Sequence, residues 1–179
     1  MVEYTIEEHK HRLAAWAASR AASSSPVCRF TVKQGFAFLK AAGFDRDFAT
    51  PEKLPKPKEF VKQHFEWREN IRKEGRKYKK EIFHGIAAKL INCYLKTRFV
   101  CGGHHMHPHV KCLHPPIDRL LLNGLATADE PFAKEWAPYR YAAWSKFDSE
   151  EYEKVIALVR KTMKDKPLWM IEEYWKGHQ

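Results

Sequence analysis

The chain has 179 residues, 44% hydrophobic and 13% aromatic, which is enough apolar material for one packed core and too much for a disordered tail. No stretch approaches the ~18 consecutive apolar residues that a membrane-spanning helix requires. The formal net charge is +10, and 14 of the 32 Lys/Arg but only 5 of the 22 Asp/Glu fall between Lys53 and Val100. Such an excess predicts a positive face that binds phosphates by releasing counterions, the alternative being a solvated helix face.

The N-terminal MVEYTIEEHKHR is charged and has no hydrophobic signal core, so the expected location is cytoplasmic. Thr5-Ile6-Glu7-Glu8 has the pattern of a capping box, and the alanine-rich stretch after it predicts a first helix to about Ala22, with Leu13, Trp16, Ala17 and Arg20 at helical spacing. Ser23–Ser25 and Pro26 end it. Thr31 to Gln34 is a second capping box, and Gly43 suits the stop of the helix that follows. Prolines 51, 55 and 57 predict a crossing loop over 44–57, within a single helical domain spanning 1–179 or joining two packed lobes of it. Phe60, Val61, His64, Phe65, Trp67, Arg68 and Ile71 then form an amphipathic stripe that runs to Gly75, followed by the basic run Arg76 to Lys80. Helical spacing continues through Ile82, Ile86, Leu90, Cys93, Tyr94 and Thr97. Pro115 and Pro116 lead into an apolar helix at Ile117 to Leu125, Asp148 to Glu151 is a third capping box, and a last helix is expected from Pro167 through Trp175. Strand-period alternation of comparable length is lacking, so the expected fold class is all-α.

Two segments carry the chemistry. HGIAAKLINCYL places Lys89 behind a short small-residue turn, and HPPIDRLLL places Asp118 at the start of a helix. Together they resemble the helix-hairpin-helix DNA glycosylases, the superfamily of 8-oxoguanine DNA glycosylase and endonuclease III, whose hairpin reads G-V-G-x-K and whose next loop ends P-V-D. Gly85, Ile86, Ala87, Ala88 and Lys89 occupy the first pattern, and Pro116, Ile117 and Asp118 the second. The resemblance covers about residues 80 to 125. It implies DNA as partner, base excision as activity, Lys89 as a nucleophile that forms a Schiff base with lyase activity, and Asp118 as its electrostatic partner. It also implies that backbone amides near Gly85 and Ala87 grip a phosphate, with Arg76, Lys79 and Lys80 supplying charge nearby. Taken alone, Asp118 reads as a helix cap and Lys89 as a surface lysine.

The loop between the two segments is rich in thiols and imidazoles. Cys101, His104, His109 and Cys112 have the donor types of a tetrahedral zinc site, although their spacing matches no standard finger, and solvent-facing or phosphate-facing histidines are the alternative. Cys28 and Cys93 complete a set expected to be free thiols, and the spacing does not suit an iron–sulfur cluster. Base extrusion needs stacking rings. Candidates are Trp16, Phe65, Trp67, Tyr94, Trp136, Trp144 and Trp175. A rival from another class uses the same basic face without catalysis, as a helical nucleic-acid-binding or interaction module.

Overall fold

The computed structural model describes residues 4–177, and all regular structure among them is helical, with no strand. Helix α1 spans Ile6–Ala22. The Thr5 hydroxyl accepts from the Glu8 amide at 3.2 Å, but the Glu8 carboxylate turns to Arg12, so the expected capping box is half made. The buried face of α1 is Ala14, Ala15, Ala18 and Ala22, whereas Leu13 and Trp16 are about half exposed. Small side chains let α1 lie close against its main partner, the fourth helix.

Helix α2, Val32–Ala41, starts at a complete capping box between Thr31 and Gln34 and ends before Gly43, whose φ of 90° needs a residue without Cβ. The 44–57 segment contains a short 3₁₀ turn, Pro51–Lys53, and buries Phe44 and Leu54. Helix α3, Phe60–Lys77, buries Phe60, Trp67 and Ile71 as the stripe predicts, together with His64 and Arg68. It closes with the amides of Lys79 and Lys80 bonded back to the carbonyls of Arg76 and Gly75, both at 3.0 Å.

Helix α4, His84–Leu95, is buried at every residue except Cys93. It runs into a wide π-type turn, Lys96–His104, broken at Gly103 with φ 93°. Helix α5 (Pro108–Lys111), α6 (Arg119–Ala126) and α7 (Ala133–Trp136) follow, then α8 (Ser149–Met163), which starts at the complete Asp148–Glu151 capping box. The closing segment Leu168–Tyr174 is 3₁₀ rather than the expected longer helix.

Buried side chains fall into two clusters that share α4 as a wall. Ile86, Ala87, Leu90 and Ile91 belong to the first, with α1, α2 and α3, while Ala88 belongs to the second, with α6 and α8. Each buried Ile or Leu on α4 contributes about 1.5–3 kcal/mol by removal from water. Two glycines hold the second cluster against its neighbours: a Cβ at Gly85 would sit 1.8 Å from the Trp144 carbonyl oxygen, and one at Gly124 would sit 2.0 Å from that of Tyr174. Alanine normally stabilises a helix by ~1 kcal/mol over glycine. Here the clash is with backbone, so Gly85→Ala and Gly124→Ala are each expected to lower stability by about 1–3 kcal/mol. Urea midpoints measure this, and a midpoint equal to or above wild type for either variant would contradict the packing.

Candidate active site at the junction of the two cores

Lys89 leaves α4 at the boundary between the clusters. Its Nζ lies 3.0 Å from Asp118 Oδ2, with the two side chains only 9% and 15% exposed. Asp118 is the N-cap of α6 in extended conformation, and its other oxygen accepts from the Leu121 amide at 2.9 Å. One carboxylate therefore caps a helix and faces the amine. Two indoles complete the surround: the Trp144 ring centre is 4.6 Å from Lys89 Nζ, and Trp175 Nε1 donates to Asp118 Oδ2 at 3.1 Å.

The approach to Asp118 is fixed by a buried polar network that the sequence reading missed. Asn92, one turn beyond Lys89, donates to the Pro115 carbonyl at 2.9 Å and to Tyr152 Oη at 3.0 Å, while its side-chain oxygen accepts from His64 Nε2 at 2.8 Å. His114 bonds Tyr152 Oη through Nδ1 and Arg160 through Nε2, at 3.0 and 2.9 Å. Because a guanidinium only donates, Nε2 of a neutral His114 accepts and its proton sits on Nδ1. Burial, reinforced by Arg68 and Arg160, lowers the His64 pKa to about 3, and burial with His64 and Arg160 nearby takes His114 well below the usual histidine value. These are neutral connectors that hold the Pro115-Pro116 turn in place.

A second amine–carboxylate pair lies beside the first. Lys96, seven residues beyond Lys89 and so on the same face, pairs with Glu172, and its Nζ lies 5.9 Å from the Trp175 ring centre. Burial pushes the Glu172 pKa up, with Lys96 offsetting it only in part. Cys93 stands between the two lysines in sequence, and burial raises its thiol to about 11, so it remains protonated. Glu172 had one signal in the sequence, the pair of glutamates, Glu172 and Glu173, that interrupts the apolar closing segment. Asn92 had none.

The other anticipated residues are placed differently. Gly85 and Ala87 are buried, and their amides already donate to the carbonyls of Phe147 and Phe83 at 3.1 and 3.0 Å, so this helix start faces protein. Arg76, Lys79 and Lys80 lie at the α3–α4 turn, where with Arg72 they border a cleft of about 270 Å³. Among the described residues no group of three or more His, Cys, Asp or Glu is placed to hold a metal, the zinc set Cys101, His104, His109 and Cys112 included. Cys101 and His104 are exposed, while the Cys112 thiol donates to the His109 carbonyl and His109 Nδ1 donates to the Leu54 carbonyl. Their backbone partners take the ring and thiol away from a shared centre. Of the candidate stacking rings, Trp144 and Trp175 reach the lysine–aspartate pair; Trp136 is buried and bonded to Thr162. A cavity of about 730 Å³ against Phe132, Met163 and Tyr174 includes neither Lys89 nor Asp118. No helix among the described residues is long and apolar enough to cross a membrane. Comparison with protein-family models, curated proteins and solved structures finds no match to this chain.

The buried histidines predict an acid limit to stability. His64 stays neutral in the fold down to about 3 and His84 to about 4, whereas both would take up protons near 6.5 once unfolded. Below ~6.5 the unfolded chain binds more protons, so stability present above that pH is lost as pH falls toward 4, by up to about 1.4 kcal/mol per pH unit for each histidine. Glu172, with its raised pKa, acts in the opposite sense but nearer the carboxylate range. Urea midpoints are expected to fall between pH 7 and 5; a constant midpoint over that window would contradict the buried neutral network.

Proposed function

We propose that this protein is a DNA glycosylase-like base-excision enzyme with lyase activity, in which Lys89 is the nucleophile and Asp118 its partner. The observation that carries the reading is the 3.0 Å approach of Lys89 Nζ to Asp118 Oδ2 at the meeting of two apolar clusters, between two indoles. The sequence resemblance supplies the reaction, and the basic excess around α3 and α4 supplies attraction for a phosphate backbone.

At rest the pair is an ammonium and a carboxylate. Passing one proton from Nζ to Asp118 frees the lone pair, which attacks the sugar anomeric carbon of an extruded nucleotide. The glycosidic bond breaks, its electron pair leaves with the base, and Asp118 returns the proton to that base. The sugar ring then opens: the bond from the anomeric carbon to the ring oxygen breaks, one proton passes from the nitrogen to that oxygen, and the protonated Schiff base that remains, its positive charge stabilised by the regenerated carboxylate, permits strand cleavage. Trp144 and Trp175 provide flat faces for a base or sugar beside the reacting centre.

A non-catalytic nucleic-acid-binding module has one specific observation in its favour. Asp118 is fully occupied as cap, as Lys89 partner and as acceptor for Trp175, which is what a structural tie between α4 and α6 also requires.

Release of free base from duplexes carrying single damaged or mispaired bases separates the two readings. Wild type is expected to release at least one such base, Lys89→Gln to release none, and Asp118→Asn to be slower by about 100-fold or more, the scale for losing a charge aimed at a developing cation. Duplex affinity of both variants should stay near wild type. Release of no base from any duplex, with binding intact, would defeat the enzyme reading and leave the binding module.

A further inference from the structure

Among the described residues Tyr141 is the most exposed large hydrophobic side chain, at 80%. Single apolar residues on a surface are ordinary, and what sets this one apart is the support beneath it. Trp136, five residues earlier, is buried with its Nε1 donating to the Thr162 hydroxyl at 3.0 Å, and Tyr139 packs edge-on against its ring, with centres 6.1 Å apart. Inside the loop the amides of Ala142 and Trp144 donate to the carbonyls of Tyr139 and Ala142, at 3.0 and 2.9 Å. The Trp144 carbonyl then packs on Gly85. Both ends of the loop are pinned, and the Tyr141 ring between them is held out in water.

The neighbours of that ring are cationic. Arg140 lays its guanidinium 5.1 Å from the Tyr141 ring centre, and its Nε donates to the Asn123 side-chain oxygen at 3.1 Å. That partner is a neutral amide, so it fixes Arg140 without cancelling its charge. Arg119 is exposed four residues before Asn123 and so on the same face of α6, a helix with no acidic residue. Asn123 lies about 7.5 Å along the helix axis from Asp118. Trp144, no more than about 11 Å of chain beyond Tyr141, holds its ring 4.6 Å from Lys89 Nζ. The exposed ring thus stands beside the lysine–aspartate site with two cations next to it. A protein partner would need roughly 800 Å² on each side, and one aromatic side chain supplies only about 150–250 Å². A nucleobase needs a single flat face, with its phosphates within reach of the flanking charges.

We propose that Tyr141 is a stacking platform for an unpaired base of nucleic acid, with Arg140 and Arg119 meeting the phosphates on either side of that base. This rests on the preceding reading only for nucleic acid as the partner, which the excision enzyme and the binding module share. In the excision reading the base it takes is one unstacked when its neighbour is extruded. Tyr141 makes and breaks no bond. It is a positioning residue that holds the opened strand beside Lys89 and Asp118.

The test compares two DNA probes of equal length, a fully paired duplex and a duplex with one unpaired adenine, by fluorescence anisotropy over a series of salt concentrations. Wild type should bind the second probe more tightly. Tyr141→Ala should weaken that binding by about 5- to 150-fold, the scale of one lost stack, and leave the paired duplex within about twofold. Its salt slope should equal that of wild type, because no charge is removed, whereas Arg140→Gln should lower the slope by about 0.9 on both probes. Tyr141→Phe should restore the preference. Equal wild-type affinity for the two probes, equal losses on both in Tyr141→Ala, or no recovery in Tyr141→Phe would each overturn the platform. The comparison of probes uses wild type alone, so a variant that fails to fold does not decide the result. The outcome is separable from the chemistry: a preference that depends on Tyr141 without base release defeats only the excision reading, and base release with a preference that survives Tyr141→Ala defeats only the platform.

Discussion

A lysine on a helix that is buried on nearly every face sets the terms for the rest of this structure. Lys89 sits among Ile86, Ala88, Leu90 and Ile91, and an ammonium there without a partner would carry a desolvation cost of several kcal/mol. Asp118 meets that demand at 3.0 Å, so the loop that delivers Asp118 must arrive at one place and in one conformation. Removing either member alone would strand the other charge, a loss of about 3–5 kcal/mol. The pair is therefore a constraint on the fold before it is a feature of any reaction.

Meeting the constraint explains the polar material inside an otherwise apolar core. Asn92 ties the Pro115 carbonyl to α4 itself, and Tyr152 and Arg160 of α8 hold His114 on the other side. The turn before Asp118 is thus referenced to the same helix that carries Lys89. The Asn92–Tyr152–His114–Arg160 part of this network is rigid, because each bond fixes the donor or acceptor role of the next. Neutral histidines serve it better than charged ones, since Arg68 and Arg160 already place positive charge nearby. Asp118 in turn needs only one oxygen for its capping role, which leaves the other for the amine and the Trp175 indole.

Much of the helical frame was legible in the sequence because its signals are local. The capping boxes at Thr31 and Asp148, the stop at Gly43 and the stripe of α3 all depend on residues within a few positions of one another. Helical spacing alone does not say which face of α1 is buried: its large apolar side chains, Leu13 and Trp16, face outward, and its alanines face in, because closeness to α4 matters more there than side-chain area. The juxtaposition of Lys89 and Asp118 came from a family pattern, not from periodicity, and the bonds that hold it join residues from 23 positions apart, Asn92 and Pro115, to 60, Asn92 and Tyr152. The histidine-rich loop shows the limit of reading a site from neighbours in sequence. Donor types were read from proximity in sequence, but His109 and Cys112 turn to backbone carbonyls instead of to each other. The small residues of the α4 start, expected to admit a phosphate, admit the Trp144 backbone instead.

The claim that this buried pair serves a reaction rests on Lys89 carrying a nucleophilic amine. The most direct measurement is borohydride trapping on lesion-containing duplexes, followed by peptide mass spectrometry that locates the sugar on the protein. The account predicts one adduct, on Lys89. An adduct on Lys96 or any other lysine, or none on any duplex, would contradict it.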